Sequence, residues 1–232
     1  MKMNKIKKYI KAELKNWKAI EVFWLLAAVI IILILSIYWK DNWIGITAAV
    51  TGVACVVLTG KGKLSSYIFG IINVLFYAYI AYNAKYYGEV MLNMLYYLPM
   101  NFVGWYAWYK HMDEETGEVE KKRMSVRNSI IVFLATGIAI FIYGFVLRAM
   151  GGNLPFVDSM STVVSVVAQI LCIKRYVEQW ILWIVVDIVT VIMWIAAFFT
   201  GGESVATLLM WSIYLINAII MFIKWNKEAA KH

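Results

Sequence analysis

The chain has 232 residues, of which 63% are hydrophobic, 16% aromatic and only 16% charged, with two prolines; soluble domains carry about a quarter charged residues. That composition excludes an ordinary water-soluble globule. The net charge of +8 is dispersed over loops rather than gathered on one face, which excludes a nucleic-acid surface and leaves no nucleic-acid partner.

Eight apolar segments of helix-spanning length follow one another at residues 21–38, 43–58, 64–84, 91–108, 129–147, 156–172, 180–199 and 204–223. In hydrocarbon each backbone donor and acceptor must be satisfied within its own segment, and barrel strands need only about ten residues, so the spans are helices. The expected fold is an all-α integral membrane protein with eight transmembrane helices. Before the first span, Ile6, Tyr9, Ile10, Leu14 and Trp17 lie among seven lysines, a pattern for a basic amphipathic helix on the membrane surface. The first span has no small-residue cleavage site and runs into Tyr38, Trp39, Lys40 and Asp41, so it stays in the bilayer. Residues 111–128, acidic first and then basic, read as a solvated linker. Nineteen of the 22 Lys and Arg fall on one side of the eight spans, against Lys40, Lys85 and Arg148 on the other, which places both termini in the cytoplasm. Cys55 and Cys172 sit inside apolar runs and signal no disulfide framework or metal site.

A gapless shift of 114 residues lays segments two to four on segments six to eight. Thr47 meets Ser161, Thr51 meets Ser165, Cys55 meets Gln169, Lys61 meets Arg175, Asn73 meets Asp187, and Gly88-Glu89 meets Gly202-Glu203. Copies four helices apart run in the same direction, so the reading is an N-terminal helix plus a 3+1+3 parallel-repeat core of the kind found in SWEET sugar transporters, whose substrate binds at the repeat interface. The divisions are 1–42 (amphipathic N-terminus and extra helix), 43–110 (first repeat), 111–150 (loop and linker helix), 151–224 (second repeat) and 225–232 (tail).

Polar groups inside spans are costly unless they face protein or water, so they are the functional candidates. Trp180, Trp183, Asp187, Thr190 and Trp194 form one helical stripe around the only carboxylate in the middle of a span. Asn93, Tyr97, Asn101, Trp105 and Trp108 form another, interrupted by Pro99. Ser161, Ser165 and Gln169 form a third, with Asn73 and Tyr214 on further helices. Together they describe a cavity with flat aromatic walls, amides, hydroxyls and one acid, suited to a planar, cationic, sugar-bearing molecule. Each has a plainer reading: Trp180 as an interfacial belt residue, the serines and threonines as packing contacts, Asn73, Asn101 and Gln169 as interhelical hydrogen bonds. Pro99 is either a hinge or a packing feature. No phosphate loop, metal-ligand cluster or nucleophile-base pair is present, so neither enzymatic chemistry nor a cofactor is expected.

Three strings are more specific than hydropathy: Lys63 to Asn73, Asn-Phe-Val-Gly-Trp-Tyr-Ala-Trp from Asn101 to Trp108, and Arg-Tyr-Val-Glu-Gln-Trp-Ile-Leu-Trp-Ile-Val-Val-Asp from Arg175 to Asp187. Through them residues 43–224 resemble the bacterial nicotinamide riboside transporters, the PnuC family. The resemblance implies an inner-membrane facilitator that passes nicotinamide riboside, a vitamin B3 form and NAD precursor, by alternating access, with uptake maintained by a cytoplasmic riboside kinase. It also implies a homotrimer. By motif match it carries over Asn73, Asn101, Trp105, Trp183 and Asp187 as substrate-facing; Asn93, Tyr97, Gln169 and Tyr214 rest on the stripes alone. Two departures stand out: the extra first helix, expected to pack outside the pathway, and Asp187, where Asn also fits the pattern. Competing readings are a proton-coupled carrier of another vitamin or nucleoside, with Asp187 titrating, and a membrane receptor that binds without transporting.

Overall fold

The computed structural model describes residues 11–151, 155–199 and 205–230; most of the expected amphipathic N-terminal helix lies outside them. Its helices are α1 (Ala19–Tyr38), α2 (Trp43–Lys61), α3 (Ser66–Asn83), α4 (Tyr87–Met91), α5 (Leu98–Tyr109), α6 (Val126–Ala149), α7 (Pro155–Ile173), α8 (Gln179–Phe199) and α9 (Val205–Ala229), with a π-helical turn, Leu92–Tyr97, joining α4 to α5. Seven of these helices are long and apolar enough to cross a membrane. The fourth apolar segment is helical throughout residues 87–109, but in three pieces rather than the single regular helix expected.

Pro99 supplies a reason for that break. It has no N–H to give to a preceding carbonyl, and a wider turn just upstream absorbs the mismatch, with Leu98 donating five residues back to Asn93. In a regular α-helix Asn93 and Asn101 would diverge by about 80° around the axis; the π turn alters that phase, and both residues are buried on the inward side.

α2 packs on α3 and α9, α8 on α7 and α9, and α6 on α7. The extra helix α1 lies against α2 and α9 through Ala28, Ile32 and Ser36, and the Trp24 indole donates to Asn217 Oδ1 at 3.4 Å. α1 and α6 leave most of their surface uncovered, as lipid-facing helices do.

The α2–α3 and α7–α8 connections share a turn. Gly62 (φ 80°) and Arg175 (φ 65°) are both left-handed, and each lies in a paired capping arrangement: Gly62 N to Thr59 O with Lys63 N to Leu58 O, and Arg175 N to Cys172 O with Tyr176 N to Leu171 O. The offset between these turns is 113 residues, one less than the gapless shift of 114.

Residues 111–128 are only in part the solvated linker expected from their composition: residues 113–116 are exposed, while residues 117–119 and Lys121 are buried. Val119 N bonds Gly62 O at 3.0 Å and Lys122 N bonds Arg175 O at 2.9 Å, so the segment pairs with both shared turns. Val119 and Glu118 are buried. The fully buried Lys63 ammonium donates to the carbonyls of Ala12, Lys15, Thr116 and Gly117 at 2.8–3.2 Å, clasping the N-terminal residues to the loop. Glu118 bridges Lys61 at 3.0 Å and Lys121, while Glu21 bridges Lys61 and Lys224 at 2.7 and 2.6 Å. Burial works to raise the Glu118 carboxyl, but Lys121 and Lys61 outweigh it and hold the group below its ordinary value of 4.5. These charges mark one end of the bundle, called here the basic end.

Candidate functional site

Between the helices lies a cavity of about 140 Å³. Nine of the ten residues expected at a site border it: Asn73, Asn93, Tyr97, Asn101, Gln169, Trp180, Trp183, Asp187 and Tyr214. None of the described residues of α1 does, which agrees with a helix packed outside the pathway.

Trp105 is the exception. It is half-buried against the cluster formed by Leu64, Tyr67 and Trp108, off the cavity wall. Four residues of α-helix return to within about 40° of the same face, so Trp105 lies beside Asn101 on α5, and its packing against that cluster takes the indole off the wall. Trp108 is fully buried beyond it, its indole donating to Cys172 O at 3.1 Å.

Small residues let the polar groups converge. A Cβ on Gly70 would stand 2.6 Å from Asn101 Oδ1 and 3.2 Å from Cys55 Sγ, and one on Gly52 would meet the Tyr214 hydroxyl. Only hydrogen fits at these two contacts between helices.

Three amides of the wall commit their nitrogens to backbone carbonyls. Asn73 Nδ2 donates to Ala48 O, Asn93 Nδ2 to Glu89 O and Asn101 Nδ2 to Tyr97 O, each at 2.8 Å, so their committed donors leave acceptors available. Asp187 is 3% exposed, and among the described residues no cation pairs with it and the lining contains no Lys, Arg or His. Glu89 adds a second acid at the end opposite the basic one. Its place in the first turn of α4, rather than in a loop, was not legible from the sequence, where only the Gly88-Glu89 repeat pair marked it.

Aromatic faces complete the wall. Tyr97 and Trp183 stand 6.3 Å apart between ring centroids with their planes 36° from parallel. Trp180, buried at the basic end, meets Trp225 edge-on at 5.6 Å, and its Nε1 has no hydrogen-bond partner. Ser66 Oγ is likewise unpartnered there. Ser66, Thr59, Cys55 and Cys172 border the cavity as well, at positions that composition alone reads as packing, and so does Asn217, which shares a stripe with Tyr214. Among the described residues no group of three His, Cys, Asp or Glu side chains could hold a metal ion. What the described wall offers is recognition: planar faces, hydrogen-bond acceptors and two carboxyl groups.

Residues 42–227 match the family described as "Nicotinamide mononucleotide transporter". The chain is 44% identical over 222 residues to the "Nicotinamide riboside transporter PnuC" of Neisseria mucosa, covering 94% of this chain and 84% of that protein. It is 33% identical over 214 residues to the protein of the same name from Haemophilus influenzae, covering 91% and 92%. A solved structure described as "Crystal structure of the Vitamin B3 transporter PnuC" aligns with a TM-score of 0.87 at 43% identity, over 97% of this chain and 98% of the other.

Proposed function

The chain belongs to the nicotinamide mononucleotide transporter family, a family of membrane carriers rather than enzymes, and from that premise we propose that its cargo is the riboside and not the phosphorylated mononucleotide. One observation carries the choice: the cavity holds two carboxylates, Asp187 and Glu89, and no cationic side chain. A phosphate enclosed there would face like charge with nothing to balance it, whereas the riboside brings only a cationic ring, a carboxamide and hydroxyls. Asp187 answers the ring charge, Tyr97 and Trp183 offer it faces, and the oxygens of Asn73, Asn93 and Asn101 accept from hydroxyl and amide donors.

The further parts of the reading follow from this assignment. The carrier is a uniporter of the bacterial inner membrane, with eight spans in a 3+1+3 arrangement of SWEET type and both termini in the cytoplasm. It works by alternating access as a homotrimer, and a cytoplasmic riboside kinase maintains the gradient. The shared turns at Gly62 and Arg175 support the repeat, and the basic end supports the orientation.

Calorimetric titration of the purified protein with nicotinamide riboside, nicotinamide mononucleotide, thiamine and riboflavin tests the cargo. Saturable binding of the riboside, at least about tenfold tighter than the mononucleotide, is expected. Equal or tighter binding of the mononucleotide would overturn the argument from charge, and binding of another vitamin alone would change the cargo while keeping the cavity. Counterflow of labelled riboside in proteoliposomes separates a carrier from a receptor. A second reading, proton coupling, is favoured by the absence of any cation beside Asp187; flux that follows an imposed proton gradient and loses that dependence in Asp187→Asn would establish it.

A further inference from the structure

We propose that the protein carries a specific phosphatidylethanolamine site in the leaflet at the basic end, separate from the transport cavity. A groove of about 430 Å³ opens there between the start of α6, the start of α8 and the end of α9. No residue is shared between its lining and that of the central cavity. Its walls are apolar, with Ile130, Phe133, Leu134, Ile181 and Phe222, and several of them are uncovered: Ile130 is 54% and Leu134 63% exposed. From Val126 to Leu134 the wall runs about 12 Å along the helix axis, close to the half-thickness of a bilayer's hydrocarbon core. That is room for one acyl chain lying along a helix.

The polar groups sit at one end of this wall, where a headgroup would lie. Arg123 borders the groove just before α6, exposed and without an ionic or hydrogen-bond partner among the described residues, and a guanidinium matches a phosphate. Glu178 borders it too, 7% exposed. Its Oε1 accepts from Met124 N at 3.1 Å, but its Oε2 is buried with no hydrogen-bond partner. A carboxylate oxygen left in that state is costly and calls for a donor. One cation and one anion bordering the same end of an apolar wall complement a zwitterion. Phosphatidylethanolamine has the phosphate for Arg123 and an ammonium with N–H donors for Glu178. Phosphatidylcholine has the charges but no N–H, and phosphatidylglycerol has no cation.

The full-length protein, purified in mild detergent and mixed with equimolar dioleoyl phosphatidylethanolamine, phosphatidylcholine and phosphatidylglycerol, is read by native mass spectrometry. Preferential retention of phosphatidylethanolamine is expected. In Glu178→Gln, where the side-chain carbonyl still accepts from Met124 N, that retention falls by about tenfold to a hundredfold and the preference over phosphatidylcholine is lost. Arg123→Gln, at an exposed side chain, lowers retention of all three lipids. Leu134→Trp fills the groove and expels lipid while riboside binding stays at the wild-type level. Equal retention of the three lipids, a preference for phosphatidylglycerol, or unchanged retention in Glu178→Gln would overturn the proposal. So would the absence of any retained lipid together with cross-linking of Phe133→Cys between copies, which would assign the groove to a second copy of the chain.

Discussion

Replacing Trp183 by Ala tests whether the aromatic wall holds the ring of the cargo. The centroids of Tyr97 and Trp183 are 6.3 Å apart and their planes lie within 36° of parallel. A flat ring slipped between two such faces needs about 3.5 Å on each side, so the pair must part by under about 1 Å. Trp183→Ala removes one face, and by analogy with bases stacked on aromatic side chains it costs about 1–3 kcal/mol of binding. That is a rise in Kd of roughly 5-fold to 160-fold. The assay is calorimetric titration with nicotinamide riboside, with thermal melting to confirm that the variant folds. Trp105→Ala is the internal control, since Trp105 packs against Leu64, Tyr67 and Trp108 away from the cavity, and its Kd should stay within about twofold of wild type. Wild-type affinity in Trp183→Ala, or a larger loss in Trp105→Ala, would refute the placement of the ring.

Asp187→Asn keeps the shape of the side chain and removes its charge; riboside binding should weaken by about tenfold or more, while the ratio of riboside to mononucleotide affinity falls, both read by titration. Gly70→Ala puts a methyl 2.6 Å from Asn101 Oδ1, so Asn101 must leave its bond to Tyr97 O; overpacking of about 1–3 kcal/mol should appear as a several-fold or greater loss of riboside affinity, and unchanged binding would show that the contact gives way freely. Glu118 is ionised more readily in the folded protein than in the unfolded chain, so its contribution to stability is complete above about pH 4.5 and is lost as pH falls through the lower folded value. The hydrogen-exchange protection factors across residues 111–122, taken relative to intrinsic rates at each pH, should therefore fall on acidification below that point, and Glu118→Gln should flatten the dependence.

Much of the cavity was legible from helical spacing because α8 is regular: Trp183, Asp187 and Thr190 fall on one face by arithmetic alone, and all three border the cavity. The same arithmetic failed at Trp105: four residues beyond Asn101 on α5 it falls near the same face, but its indole packs with Leu64, Tyr67 and Trp108, a contact that spacing does not encode. Glu89 was missed for a different reason. A Gly-Glu pair after Tyr86-Tyr87 reads as an outer loop, and only the start of α4 carries it to the cavity. The loop at residues 111–128 was partly misread because its stabilising contacts are remote in sequence. Glu118 meets Lys61 and Lys63 reaches Ala12 and Gly117, pairings that local charge order does not encode. The twin turns at Gly62 and Arg175 fell one residue off the gapless alignment, a shift visible only in hydrogen bonding.

Those twin turns have a consequence for how far the molecule can open. Val119 is bonded to one and Lys122, three residues further along the chain, to the other. Fully extended, three residues reach about 10 Å. While both bonds hold, this short leash caps the separation of the two turns at the basic end, whatever the helices do elsewhere. A gate at that end has a travel limit written in chain length, and lengthening the leash by even a few inserted residues would raise the limit without touching the cavity.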